Sequence, residues 1–142
     1  MRPYFAYASN IVKDAMEQRC PTARVVGMAC LRHYRFRIVR SGYASAVPER
    51  NAMVYGILWL VGPADERALD AYEEIARGLY RRTCLTVEPV AKPRGGSQRM
   101  AALVYLASDA SLGWPRPGYL EPIVAAAREY GFPRPALADI AR

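Results

Sequence analysis

The chain carries a single histidine, His33, and only three cysteines, Cys20, Cys30 and Cys84, in 142 residues. An odd number of widely spaced cysteines without a Cys-x-x-Cys pair excludes a disulfide scaffold and a cysteine-rich zinc site, and it suits a reducing, cytoplasmic setting. The three thiols read as small core hydrophobes. No metal-ligand spacing is present. A Ser-His-Asp or Cys-His arrangement would have to use His33, and no nucleophile-elbow sequence accompanies it; between Arg32 and Tyr34 on an expected strand it reads as a structural residue. A phosphate-binding glycine loop is missing too, because Gly95-Gly96 falls between two expected strands, where it fits a hairpin turn. The longest apolar run, Met53 to Val61, is far shorter than the ~20 residues a bilayer crossing needs. The opening Met1-Arg2-Pro3-Tyr4-Phe5 lacks the apolar core of a secretion signal. An enzyme built from this inventory works without cofactor, metal or histidine.

What is present is enough for one core. Hydrophobic residues make up 52% and charged residues 23%, which argues against global disorder and fits a single domain over residues 1–142. Net charge is +7, from 20 Lys and Arg against 13 Asp and Glu. The basic residues are scattered (Arg35, Arg37, Arg40; Arg81, Arg82; Lys92, Arg94, Arg99) and no aromatic-interleaved basic block accompanies them. Nucleic-acid binding is therefore disfavoured. Oligomeric state is not readable from this pattern.

Tyr4 to Tyr7 forms a short aromatic strand that runs into Ala8-Ser9-Asn10. Asn10 is placed to cap a helix reaching Arg19, with Ile11, Ala15 and Met16 on its apolar face. Pro21 ends it. Val25 to Leu31 is an apolar run, and Tyr34 to Val39 alternates in the period of two that marks a half-buried strand. Ser41-Gly42 and Pro48-Glu49-Arg50-Asn51 punctuate a short strand near Ala44 to Val47, before Met53 to Val61 supplies a central one. Gly62-Pro63 then breaks the chain, and Asp65 or a neighbour starts a second helix reaching about Ala76. Strands at Tyr80 to Val87 and Met100 to Ala107 follow. A third helix spans Tyr119 to Tyr130, stopped by Gly131, with a last helical turn at Leu137 to Ala141. About six strands and three or four helices, without regular alternation, make an α+β fold rather than a doubly wound one.

The second helix carries the most informative side chain. Leu69, Tyr72 and Ala76 form its apolar stripe, and Glu73 borders that stripe at spacings of four and three. Glu74 shares the opposite face with Asp70 and Arg77 and should meet water. Helical spacing leaves two readings of Glu73. It is a carboxylate whose pKa desolvation raises, fit for acid/base work, or it pairs with an arginine on a neighbouring strand. A reaction intramolecular in its substrate needs little more than one such base, since aligned intramolecular attack supplies effective molarities of about 10⁵–10⁸ M.

Five segments in order resemble the γ-glutamyl cyclotransferase-like proteins. Tyr4-Phe5-Ala6-Tyr7-Ala8-Ser9-Asn10 is similar to their aromatic strand and Tyr-Gly-Ser-Asn loop, and Arg19-Cys20-Pro21-Thr22-Ala23 to their Arg-x-Pro-x-Ala segment. Val54-Tyr55-Gly56-Ile57-Leu58-Trp59 resembles a strand reading Val-x-Gly-Val-Leu-Trp. The run from Leu69 to Arg82 resembles Leu-Asp-x-x-Glu-Gly-Val-x-x-Gly-x-Tyr. Gly118-Tyr119-Leu120, a helix and Gly131-Phe132-Pro133 are similar to the family's close. Two positions depart: Ala8 stands where the family has Gly, and alanine disfavours a positive φ; Glu74 stands where Gly follows the family's glutamate.

The resemblance implies a small mixed β-barrel or closed sheet flanked by helices, and cyclisation of a γ-glutamyl amide to 5-oxoproline with release of the amine. It gives Glu73 the general acid/base role and the loop Tyr7, Ala8, Ser9 and Asn10 the substrate carboxylate. Tyr80 and Tyr119 then line the cavity, and Tyr80 is one candidate donor to the oxyanion. The implied partner is a small γ-glutamyl compound whose amine half the sequence leaves open. Two other readings stay within the fold: action on another γ-glutamyl-like amide, or ligand binding without catalysis, which Ala8 and Glu74 motivate.

Overall fold

Five strands close into a mixed barrel in the order β1-β3-β2-β4-β5 in the computed structural model, which describes residues 1–91 and 98–141. They are β1 (Arg2–Ala6), β2 (Arg24–Ile38), β3 (Ala44–Val61), β4 (Tyr80–Pro89) and β5 (Met100–Ala107). β1 runs antiparallel to β3, with Tyr4 opposite Trp59, and parallel to β5, with Tyr4 opposite Leu103, which closes the ring. Four helices flank it: α1 (Lys13–Arg19), α2 (Pro63–Tyr72), α3 (Leu120–Tyr130) and α4 (Arg134–Ala141). The α+β closed sheet expected from the sequence is the fold. Gly95-Gly96, read as a turn, lies outside the described residues.

Among the described residues there are five strands where the sequence suggested about six, because its breaks inside the β2–β3 hairpin are bulges. The pairing jumps from Arg32 opposite Met53 to Tyr34 opposite Pro48. His33 and Asn51 absorb the excess chain in left-handed conformations (φ 68° and 64°), so both strands continue past the irregularity. His33 is exposed and lies apart from the cavity described below.

α2 begins as a helix start should. Pro63 occupies its first turn, and the Gly62 N–H donates to Asp65 Oδ2 at 3.0 Å, satisfying an otherwise orphaned amide. Thr22 Oγ1 also donates to the Asp65 carboxylate, at 2.8 Å to Oδ2, tying the α1–β2 connection to α2. The helix ends at Tyr72 rather than near Ala76. Glu73 leaves the helical line (φ −83°, ψ 2°), Glu74 turns left-handed (φ 52°, ψ 47°), and a short 3-10 turn, Ile75–Arg77, leads to Gly78. Ala76 is consequently exposed and takes no part in a buried stripe. Gly131 stops α3 as expected, at φ 80°, with the Phe132 N–H closing onto the Ala127 carbonyl at 3.0 Å.

The core packs Phe5, Ile57, Leu58, Trp59, Val87 and Val104 inside the structure, all essentially inaccessible to solvent. Gly56 lets β1 approach, since a Cβ there would lie 2.3 Å from the Ala6 carbonyl and 2.7 Å from the Phe5 ring. Cys20 and Cys30 are buried, as small core residues should be, but Cys84 is exposed, on the outward face of β4 with Arg82 and Thr86. Among the described residues, no helix is long and apolar enough to cross a membrane.

Candidate active site

One end of the barrel holds a cavity whose empty volume, counting its open mouth, is about 630 Å³. β1 and the loop after it supply Tyr4, Tyr7, Ala8, Ser9 and Asn10. The end of α2 supplies Tyr72, Glu73 and Glu74. The opposite wall comes from Tyr43 and Ala44, from Tyr80 at the start of β4, Tyr105 near the end of β5, and Tyr119 just before α3. Every residue singled out in the sequence (Tyr7, Ala8, Ser9, Asn10, Glu73, Tyr80 and Tyr119) therefore faces one hollow.

Glu73 is half-buried, and among the described residues it forms no ion pair. Burial raises its pKa to about 7, against a smaller lowering pull from the Arg19 charge. Among the described residues no arginine locks this carboxylate, the alternative the sequence left open. Arg19 instead places its guanidinium 3.5 Å from the centre of the Tyr72 ring and donates to Asn10 Oδ1. The source of the burial differs from the sequence argument. Helix α2 has ended, so Glu73 owes its environment to the ring of tyrosines rather than to Leu69 and Ala76. Glu74 bonds Arg77 at 2.5 Å at the cavity rim.

Hydrogen-bond direction sorts the tyrosines. Tyr7 donates to the Tyr105 carbonyl at 2.6 Å, Tyr80 to the Ala44 carbonyl at 2.5 Å, and Tyr105 to Asp70 Oδ1 at 2.6 Å. Tyr119 does the reverse and accepts from the Ala44 N–H at 3.1 Å. A phenol has one proton, so Tyr80 has spent its own on the backbone and is not the oxyanion donor the sequence suggested. Burial raises the pKa of Tyr4, Tyr7, Tyr80, Tyr105 and Tyr119, and the Glu73 charge adds to the rise in each. All remain protonated donors or acceptors near neutrality.

The loop after β1 differs from expectation in two respects. Asn10 caps no helix; it is 2% exposed, and its Nδ2 donates to the Tyr4 hydroxyl at 3.0 Å. Ala8 adopts φ −127°, so the alanine needs no positive φ. Ser9 Oγ and the Tyr72 hydroxyl share a hydrogen bond of 2.7 Å. Tyr4, Tyr43 and Tyr105 were not singled out as site residues in the sequence, and Tyr72 was read only as part of the apolar stripe of α2. Only the aromatic alternation of the first strand pointed to Tyr4. Tyr43 and Tyr105 lie far apart in sequence and converge through barrel closure, whereas Tyr72 reaches the site as the chain neighbour of Glu73. Among the described residues, no three His, Cys, Asp or Glu side chains gather as a metal site.

Comparison with known proteins finds the same closed-barrel fold among γ-glutamyl cyclotransferases. Human γ-glutamylcyclotransferase is 24% identical over 140 residues, 92% of this chain and 72% of that protein. The mouse protein of the same name matches at the same identity and coverage. A solved γ-glutamyl cyclotransferase structure superposes with a TM-score of 0.84 at 22% identity, covering 99% of this chain and 86% of that one. YkqA from Bacillus subtilis gives 0.75 at 20% identity, over 99% of this chain and 53% of that one. The chain belongs to the AIG2-like family, whose model matches residues 53–138. It is an enzyme of the γ-glutamyl cyclotransferase-like type.

Proposed function

We propose that the protein is a cofactor-independent cyclotransferase that converts a γ-glutamyl amide to 5-oxoproline and releases the amine, with Glu73 as general acid and base. One observation carries this: a carboxylate with a pKa of about 7, free of any ion pair among the described residues, inside a tyrosine-lined cavity. The α-amine of the substrate must lose a proton before it attacks its own γ-carbonyl. Against an ordinary glutamate that transfer is uphill by about 5 kcal/mol; against one near 7 the gap to an α-amine near 8 shrinks to about 1.4 kcal/mol. Glu73 then returns the proton to the leaving amine. The loop Tyr7 to Asn10 receives the substrate carboxylate through backbone N–H groups and Ser9, with Tyr80 shaping the cavity and Tyr119 presenting its open hydroxyl proton. The partner is a small γ-glutamyl compound, and the domain, residues 1–142, acts in the cytoplasm. The negative φ of Ala8 removes one motive for a silent ligand binder.

The test is a panel of γ-glutamyl peptides, γ-glutamyl amino acids and γ-glutamyl amines assayed for 5-oxoproline. Turnover of at least one class is expected. A folded protein that binds members of the panel and releases no 5-oxoproline from any of them would overturn the reading.

A further inference from the structure

Arg19 and Asn10 together fix which way the hydroxyl of Tyr4 can point. A guanidinium only donates, so the atom of Asn10 that meets Arg19 must be the carbonyl oxygen. The Asn10 amide is thereby oriented without ambiguity, and the atom facing Tyr4 must be its NH₂, which donates to the phenol oxygen at 3.0 Å. The phenol oxygen thus accepts, and its own proton has to go elsewhere. Among the described residues the Tyr4 hydroxyl donates no hydrogen bond. Yet Tyr4 is 3% exposed and lines the same cavity as Glu73. A buried donor left without a partner is destabilising, an arrangement that makes sense where a ligand completes the bond. Arg19 is itself held in place over the Tyr72 ring. Tyr7, Tyr80 and Tyr105, by contrast, have committed their protons to fixed acceptors.

We infer that Tyr4 is a catalytic residue that donates to the oxyanion formed on ring closure, and that Asn10 and Arg19 are positioning residues that keep it a donor. The inference rests on the cyclisation proposed above. In the step itself, the α-amine nitrogen bonds to the γ-carbonyl carbon while Glu73 takes its proton. The carbonyl π pair moves onto oxygen, where the Tyr4 O–H meets it. Collapse restores the C=O bond and breaks the bond to the leaving amine, which takes the proton back from Glu73. Asn10 thereby acquires a role other than the direct substrate contact suggested by its sequence, since its side-chain oxygen and one amide N–H are already engaged.

The experiment compares Tyr4→Phe, Asn10→Asp and their combination with the parent, by steady-state 5-oxoproline release at saturating pH. Tyr4→Phe keeps the ring and should lower kcat about 10²-fold, as loss of one oxyanion donor does, with KM within threefold. Asn10→Asp keeps the size and the Arg19 contact but turns the amide donor into an acceptor. Tyr4 then spends its proton on Asp, so kcat should fall as far, and the double variant should be no slower than either single one. Arg19→Lys, still donor-only, should retain much of the activity that Arg19→Met loses. Tyr4→Phe within threefold of the parent, or Asn10→Asp fully active, overturns the inference while leaving Glu73 untouched. A readout independent of turnover is the tyrosine ¹³Cζ resonance, assigned to Tyr4 by its loss in Tyr4→Phe. It should move in Asn10→Asp, and an unmoved signal contradicts the inference even if the cyclisation reading has failed on every substrate.

Discussion

Glu73 and Glu74 are neighbours in the chain whose backbones part at the end of α2: Glu73 sits at φ −83°, ψ 2°, and Glu74 at φ 52°, ψ 47°. The left-handed turn at Glu74 ends the helix, so that Glu73 faces the tyrosine cavity while Glu74 takes Arg77 at the rim. The departure from the family's Gly at position 74 is therefore a backbone matter before it is a chemical one.

A glutamate in the left-handed region is strained by about 1 kcal/mol or more, whereas glycine is not. Glu74→Gly is expected to be neutral to about 1 kcal/mol more stable in denaturant unfolding. The relief is partly offset by the freer unfolded chain and by loss of an exposed ion pair worth little. Glu74→Val, β-branched at positive φ, should be destabilised by about 1–2 kcal/mol. Equal stabilities for the two variants would contradict this account of the turn.

The raised pKa of Glu73 makes stability depend on pH in a definite sense. The folded state disfavours the charged carboxylate, so nothing is lost below the ordinary value of 4.5. Stability then falls as pH rises through about 7. Glu73→Gln removes the penalty. It should match the parent below pH 4.5 and exceed it by about 3 kcal/mol at pH 8, which paired thermal or urea unfolding curves will read. A variant less stable than the parent at pH 8 contradicts a desolvated carboxylate.

Much of this was legible in the sequence for physical reasons. The period-two runs gave strand identity, and Gly131 gave a helix end that the structure keeps at φ 80°. Ordered motifs brought Glu73, Tyr80, Tyr119 and the Tyr7–Asn10 loop to one place. The early end of α2 was hidden, because Ala76 sits at a helical spacing and nothing in Glu73-Glu74 announces a left-handed residue. The bulges at His33 and Asn51 looked like strand ends, since turn-type residues serve both purposes. Tyr4, Tyr43 and Tyr105 meet the site only through barrel closure, and hydrogen-bond direction, which separates Tyr80 from Tyr119, has no sequence signature.

That direction predicts different consequences for two phenols on the same residue. Tyr80→Phe strips the Ala44 carbonyl of its donor and should cost about 1–3 kcal/mol of stability, with a smaller effect on turnover. Tyr119→Phe removes an acceptor from the Ala44 N–H and also a hydroxyl proton that forms no hydrogen bond among the described residues. It should lower turnover more than Tyr80→Phe does, as measured by 5-oxoproline release alongside unfolding midpoints. The reverse ranking in turnover would contradict the donor assignment.

The most direct measurement is the pH–rate profile of 5-oxoproline release for the parent and for a Glu73→Gln variant shown to be folded. The parent rate should rise with pH along a limb near 7, where Glu73 ionises, and Glu73→Gln should be slower by about 10²–10⁴-fold with no such limb. A folded Glu73→Gln that releases 5-oxoproline at the parent rate contradicts the assignment of Glu73 as the acid and base.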